Sequence, residues 1–126
     1  MTSDGSAVTR LQRALANPRA SAAQIRAIAA ELPTVGLEDA LAILLALIDR
    51  EPQTFPRAAA RWGARFTVER RVALEDAQLA LASLAVLPGP GARAGAEALI
   101  ELSDRYGLRR VDDLLTAWLR ARGLGE

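Results

Sequence analysis

Prolines and glycines cut this chain into pieces the length of short helices. Asn17-Pro18, Pro33, Glu51-Pro52, Pro88-Gly89-Pro90-Gly91 and Gly107 each interrupt an apolar pattern of helical period. Between these breaks the spacing predicts seven helices, at 6–16, 21–32, 37–50, 55–70, 74–87, 92–106 and 111–122. Leu37, Leu41, Leu44, Leu45 and Ile48 recur every three or four residues, as do Ile25, Ile28 and Leu32, and Leu99, Leu102 and Tyr106. The 27 Ala and 20 Leu, with few β-branched residues, favour helix over strand throughout. The expected fold is all-α, one domain over 1–126 with residues 1–5 a disordered N-terminus.

The helices also repeat. Leu37-Glu38-Asp39-Ala40 recurs 37 residues later as Leu74-Glu75-Asp76-Ala77, and after the same interval, loosened, as Val111-Asp112-Asp113-Leu114. Ile25, Trp62 and Leu99 correspond at that offset, as do Leu32 and Tyr106. Each unit reads as a helix, a short connection and a second helix opened by two acids. Three such units after a leading helix resemble the layout of a short HEAT-like or tetratricopeptide-like α-solenoid of stacked antiparallel pairs. The tetratricopeptide Trp-Leu-Gly-Tyr pattern is absent, and the alternative is a compact helical bundle. In the stacked arrangement the second helix of each pair, centred on 41–48, 79–87 and 114–119, is expected to be the most buried.

Absences restrict the chemistry. The chain has no Cys, no His and, all 16 basic residues being Arg, no Lys. This excludes disulfides, thiolate nucleophiles, imidazole bases and ligands, Schiff-base lysines and the P-loop lysine. Serine and threonine would lack a His or Lys base, so an enzyme would have to be a small carboxylate-dependent hydrolase. No catalytic residue, metal site or cofactor is expected. The pairs Glu38/Asp39, Glu75/Asp76 and Asp112/Asp113 lie in first turns, where negative charge meets the positive end of the helix dipole; this explains all three without a metal. Gly89-Pro90-Gly91-Ala92-Arg93-Ala94-Gly95 lacks the preceding strand and the glycine spacing of a dinucleotide loop, and reads as a helix-breaking turn. Glu97, Glu101 and Asp104 share a helix face with Arg93 and Arg105 within pairing distance, and read as a solvated surface. The longest apolar run, Ala40 to Ile48, is too short to cross a membrane, where about 20 residues are required. A cytoplasmic protein is expected, with the Arg-only basic set resembling the codon bias of a GC-rich bacterial genome.

One helix carries an asymmetry. Arg57, Arg61 and Arg65 stand four residues apart, and Arg70 and Arg71 follow at the helix end. Between Thr54 and Arg71 there are five Arg and one Glu, in a chain of net charge +1. Beside the stripe runs an aromatic row, Phe55, Ala58/Ala59, Trp62 and Phe66, which reads first as core packing. Neighbouring acids, Asp49, Glu51 or Glu75, could neutralise the stripe. Otherwise it is suited to an acidic partner, since guanidinium groups make forked contacts with carboxylates and phosphates. A partly exposed Trp62 would serve as an interface anchor. The expected function is a non-catalytic protein–protein interaction module, an adaptor or self-associating subunit, binding an acidic protein surface or a second copy through Arg57, Arg61, Arg65, Trp62, Arg70 and Arg71. A nucleic-acid-binding accessory protein is the alternative. The modest net charge and the lack of a helix-turn-helix pattern argue against it.

Overall fold

The computed structural model describes residues 13–14, 17, 19–29 and 35–125. Six α-helices are ordered along them: α1 (Ala22–Ala29), α2 (Leu37–Arg50), α3 (Phe55–Glu69), α4 (Leu74–Ala85), α5 (Ala92–Arg105) and α6 (Arg110–Ala121), with a single 3₁₀ turn at Pro52–Thr54. No strand occurs among the described residues. Most of the predicted 6–16 helix lies outside the described residues, although Arg13 and Ala14 are helical, and 30–32 of the second helix also lie outside.

Each helix begins and ends for a local reason. Ser21 and Gln24 form a reciprocal capping box at α1: Gln24 N–H donates to Ser21 Oγ at 3.1 Å, and Ser21 N–H to Gln24 Oε1 at 2.8 Å. Helices α2, α4 and α6 lack side-chain caps but carry Glu38/Asp39, Glu75/Asp76 and Asp112/Asp113 in their first turns. Helix α5 stops at Gly107, whose φ of +84° lets Leu108 N–H reach back to Ser103 O at 2.8 Å. The same closure ends α3, with Val72 N–H bonded to Thr67 O at 3.0 Å, but there Arg71 occupies the left-handed position at φ +51°.

Helices that follow one another in sequence pack side by side, with one addition: α2 also lies against α6. The pair is parallel, since Asp39 bonds Arg110 at the N-terminal ends and Asp49 bonds Arg122 at the C-terminal ends. This joint closes α2 through α6 into a ring around one core, and α1 lies outside it. The arrangement is thus a compact helical bundle. At the centre Trp62 stacks on Phe66 at 5.2 Å and Phe66 meets Tyr106 edge-on at 5.6 Å. On the far side of α2, Ile25, Ala14 and Ala20 pack against Ile43 and Ala46. Helix α2 is therefore covered on both sides, as its all-round apolar sequence requires.

The 37-residue interval survives in where helices start but not in what they bury. Leu37 and Val111 are 5% and 0% exposed, whereas Leu74 between them is 73% exposed. The α4 positions equivalent to the core face of α2, namely Leu74, Gln78, Leu81, Ala82 and Ala85, are all exposed. Helix α4 instead buries Ala80, Ser83 and Leu84 on the opposite face. The expectation that each second helix is the most buried is therefore corrected: α3 buries more of itself than its partner α4, and α5 more than its partner α6. An all-round apolar helix has no moment to choose its inward face. Here α4 lies close to two glycines, with Ser83 and Val86 against Gly95 of α5 and Leu81 against Gly63 of α3.

Candidate partner-binding site

The six residues singled out on and after α3 fall into different settings. Trp62 is only 3% exposed, and its indole N–H donates to Leu37 O at 2.8 Å. It anchors α3 to the start of α2 and belongs to the core, because the inward face of α3 is Phe55, Ala59, Trp62 and Phe66. A surface role for Trp62 required partial exposure, which it lacks. Arg65 is engaged within the chain, donating from Nε to Glu69 at 2.8 Å and from Nη2 to Val35 O at 2.8 Å. Arg70 ends α3 with its guanidinium beside Gly107, and Arg71 turns the left-handed corner; both are exposed, and neither side chain makes a hydrogen bond or ion pair among the described residues.

Arg57 and Arg61 stand within α3 itself. Both are exposed, and neither makes a hydrogen bond or ion pair among the described residues. Two of the acids that could have neutralised them do not. Asp49 is taken by Arg122 at 2.8 Å, and Glu75 stands exposed at the N-terminus of α4. Other arginines are used across helix joints. Arg105 reaches Asp76 at 3.1 Å, and Arg110 holds Asp39 at 2.9 Å while its backbone N–H donates to Glu38 at 2.7 Å. Asp39 and Glu38 hold the Arg110 guanidinium even more firmly in its charged form than usual. The Tyr106 hydroxyl donates to Asp76 at 2.6 Å; this bond, with Arg105 beside it, holds the Asp76 carboxyl below its ordinary value, and the same bond to Asp76 pushes Tyr106 up.

Arg61 lines a small groove of about 160 Å³ between α2 and α3, with Ala40, Ile43, Ala58 and Arg65, while on the other side of α3 a groove of about 450 Å³ runs between α3 and α4, its walls including Pro56, Ala60, Leu81, Ala85 and Pro88. Every side chain lining it is apolar. Sequence reasoning missed this surface because it assigned α4 to the interior. The available signal was the α4 sequence itself, apolar on all sides with charges only at Glu75 and Asp76.

A second groove of about 640 Å³ runs between α2 and α6, walled by Leu45, Leu114, Ala117 and Trp118. Its carboxylates, Asp39 and Asp49, are each bound to an arginine. Trp118 Nε1 and Arg50 Nη1 are buried in the protein without hydrogen-bond partners, while Arg50 Nη2 donates to Asn17 O. Among the described residues, no three acids gather into a set able to hold a metal, and no helix is long and apolar enough to cross a membrane. The glycines of the Pro88–Gly95 stretch act sterically: a Cβ on Gly95 would fall 2.6 Å from Ser83 O. Comparison with known proteins finds no matching family model, no matching curated protein and no matching solved structure.

Proposed function

We propose that this chain is a non-catalytic protein–protein interaction module whose α3 surface receives an acidic protein face. One observation carries the reading: Arg57 and Arg61 are exposed on the outward side of α3, and neither is paired with an acid among the described residues. Like charges one turn apart on a helix repel by a few tenths of a kcal/mol, so the stripe is a small cost that an acidic partner would remove. Val68, 76% exposed on the same outward side, adds apolar contact area. The cysteine-free composition is compatible with a cytoplasmic setting.

The test compares the native chain with Arg57→Glu/Arg61→Glu as baits in affinity capture from the native host, followed by binding of each purified candidate. The double variant is expected to lose acidic-faced partners and to keep its helical circular dichroism. Unchanged affinity for every partner would remove the stripe from the interface. Binding to duplex DNA that falls steeply with salt and vanishes in the double variant would favour the nucleic-acid alternative instead.

A further inference from the structure

We infer that the acidic partner seats one aliphatic side chain in the groove between α2 and α3 and lays a carboxylate on Arg61 at its rim, so that this chain recognises a short acidic segment built around a Leu or Ile. The inference rests on the interaction-module reading and names the chemistry of its partner.

The groove exists because two antiparallel helices face each other there through small side chains. Trp62 ties the middle of α3 to the start of α2 through its bond to Leu37 O, and the short turn at Pro52–Thr54 joins their other ends. Between these ties Ala40 on α2 and Ala58 on α3 are too short to close the seam over the buried Leu44, Leu47 and Trp62. What remains is a space of about 160 Å³ over an apolar floor. A cavity of about that size takes one benzene molecule, whereas small-molecule sites begin at roughly 300 Å³. The groove is therefore sized for a single side chain.

Charge decides what carries that side chain. The charged residues lining the groove are Arg61 and Arg65, with no acid beside them in the lining. Arg65 is already committed to Glu69 and to Val35 O, whereas Arg61 is exposed and unpaired among the described residues. An arginine so placed lines the groove with its methylene stem and keeps its guanidinium in water, where a carboxylate beside the entering side chain meets it. Arg57 stands one turn earlier, about 6 Å along the axis, and gives a second acid a place one helical turn or two extended residues from the first. A sugar–phosphate backbone would satisfy both arginines but has no aliphatic group for the floor, so the groove favours a protein. The two larger grooves lack this combination. The one between α3 and α4 has no charged lining residue, and the one between α2 and α6 holds its carboxylates in ion pairs.

The probe is a displayed library of random peptides selected on the native chain. Recovered peptides are expected to share a Leu or Ile with an Asp or Glu within one helical turn. A consensus without an acid, acids without an aliphatic residue, or an empty selection would each overturn the inference. The strongest peptide, labelled with fluorescein, is then titrated by anisotropy. Ala58→Leu fills the groove from within and should weaken binding at least about tenfold. Arg61→Gln should weaken it about fivefold. Ala64→Leu, on the exposed side of α3 and outside the groove lining, should leave it unchanged. Circular dichroism checks that each variant folds, and Ala40→Leu fills the groove from the opposite wall if Ala58→Leu does not. Replacing the peptide's acid by its amide should cost affinity for the native chain but not for Arg61→Gln. Equal losses on the two chains, or a filled groove that binds as before, would overturn the inference. The broader reading would still stand if Arg57→Glu/Arg61→Glu abolished binding to a protein partner. Duplex DNA that displaces the peptide and is itself lost in Arg61→Gln would assign the arginines to nucleic acid and overturn both.

Discussion

Two glycines at helix joints, Gly95 and Gly63, should respond to the same substitution in opposite ways. A Cβ on Gly95 would fall 2.6 Å from the backbone oxygen of Ser83 and 2.7 Å from Val86 Cγ2, where ordinary contact begins at 3.4 Å. A backbone oxygen cannot swing aside, so Gly95→Ala must push α4 and α5 apart by most of an ångström. That motion loosens Leu84, Leu87, Ala96 and Leu99, which meet across the joint in the core. Overpacking of this kind costs about 1–3 kcal/mol, and the upper end applies because backbone has to move. Alanine returns about 1 kcal/mol of helix propensity, leaving a net loss of about 2 kcal/mol. For a chain of this size that lowers the unfolding midpoint by about 8 °C. At Gly63 the new Cβ would meet Leu81 Cδ2 at 2.5 Å, but this is the tip of a side chain that is 45% exposed and free to rotate outward. Gly63→Ala should therefore keep most of the propensity gain and match or exceed native stability, to within about 0.5 kcal/mol. Thermal and urea unfolding followed by circular dichroism, at one protein concentration, measures both. A Gly95→Ala chain as stable as the native, or a Gly63→Ala chain that loses as much as Gly95→Ala, would refute the steric reasoning.

Arg71→Gly should raise stability by about 0.5–1 kcal/mol in denaturant titration, because a non-glycine residue at φ +51° carries a left-handed penalty of about 1–2 kcal/mol, partly offset by glycine's greater freedom in the unfolded chain. Trp62→Phe should keep the stack on Phe66 but lose the indole bond to Leu37 O, costing about 1–2 kcal/mol in the same assay. Asp76 titrates below its ordinary value in the folded chain, so its contribution is complete above the ordinary carboxylate range and is lost as pH falls through the lowered value. Tyr106 is raised, so its contribution is complete below the ordinary tyrosine value of about 10 and is lost as pH rises through the raised one. Asp76→Asn should flatten both limbs of the urea midpoint against pH; limbs unchanged by the substitution would dissociate them from this hydrogen bond.

Helix positions were legible because they are written locally. Apolar spacing, Pro and Gly breaks and paired acids placed α2 to α6 to within a residue or two of their ends. Local ion pairs were legible too, as Arg65 with Glu69 demonstrates. What the pattern withheld is orientation. In α3 the aromatic row marks the inward face, and Trp62 follows it into the core despite neighbouring the arginine stripe. In α4 the only polar marks beyond the first turn are Gln78 on the outward row and Ser83 on the buried one, which cancel as a guide, so the row of Leu74, Gln78, Leu81 and Ala85 was not set apart from a core row. The stripe itself was visible, but which arginines stay free was not. Arg65 is held by a backbone oxygen 30 residues away, and Asp49 is removed by an arginine 73 residues away. Such pairings are set by the ring closure between α2 and α6, which leaves no periodic trace.

That closure has a consequence for how the chain reaches its native state. All other joints among the described helices unite sequence neighbours, and can form as soon as two adjacent helices exist. The α2–α6 joint, by contrast, ties residues 71 to 73 positions apart. Joining such distant segments in an unstructured chain would cost about 4 kcal/mol of loop-closure entropy, so the hairpins between them form first. The ring should therefore assemble as a growing row of hairpins and shut last. Substitutions at Asp39, Asp49, Arg110 or Arg122 should then speed unfolding while leaving the folding rate nearly untouched. The seam would be the first part of the ring to open, set not by its own weakness but by the order in which the chain can afford to close.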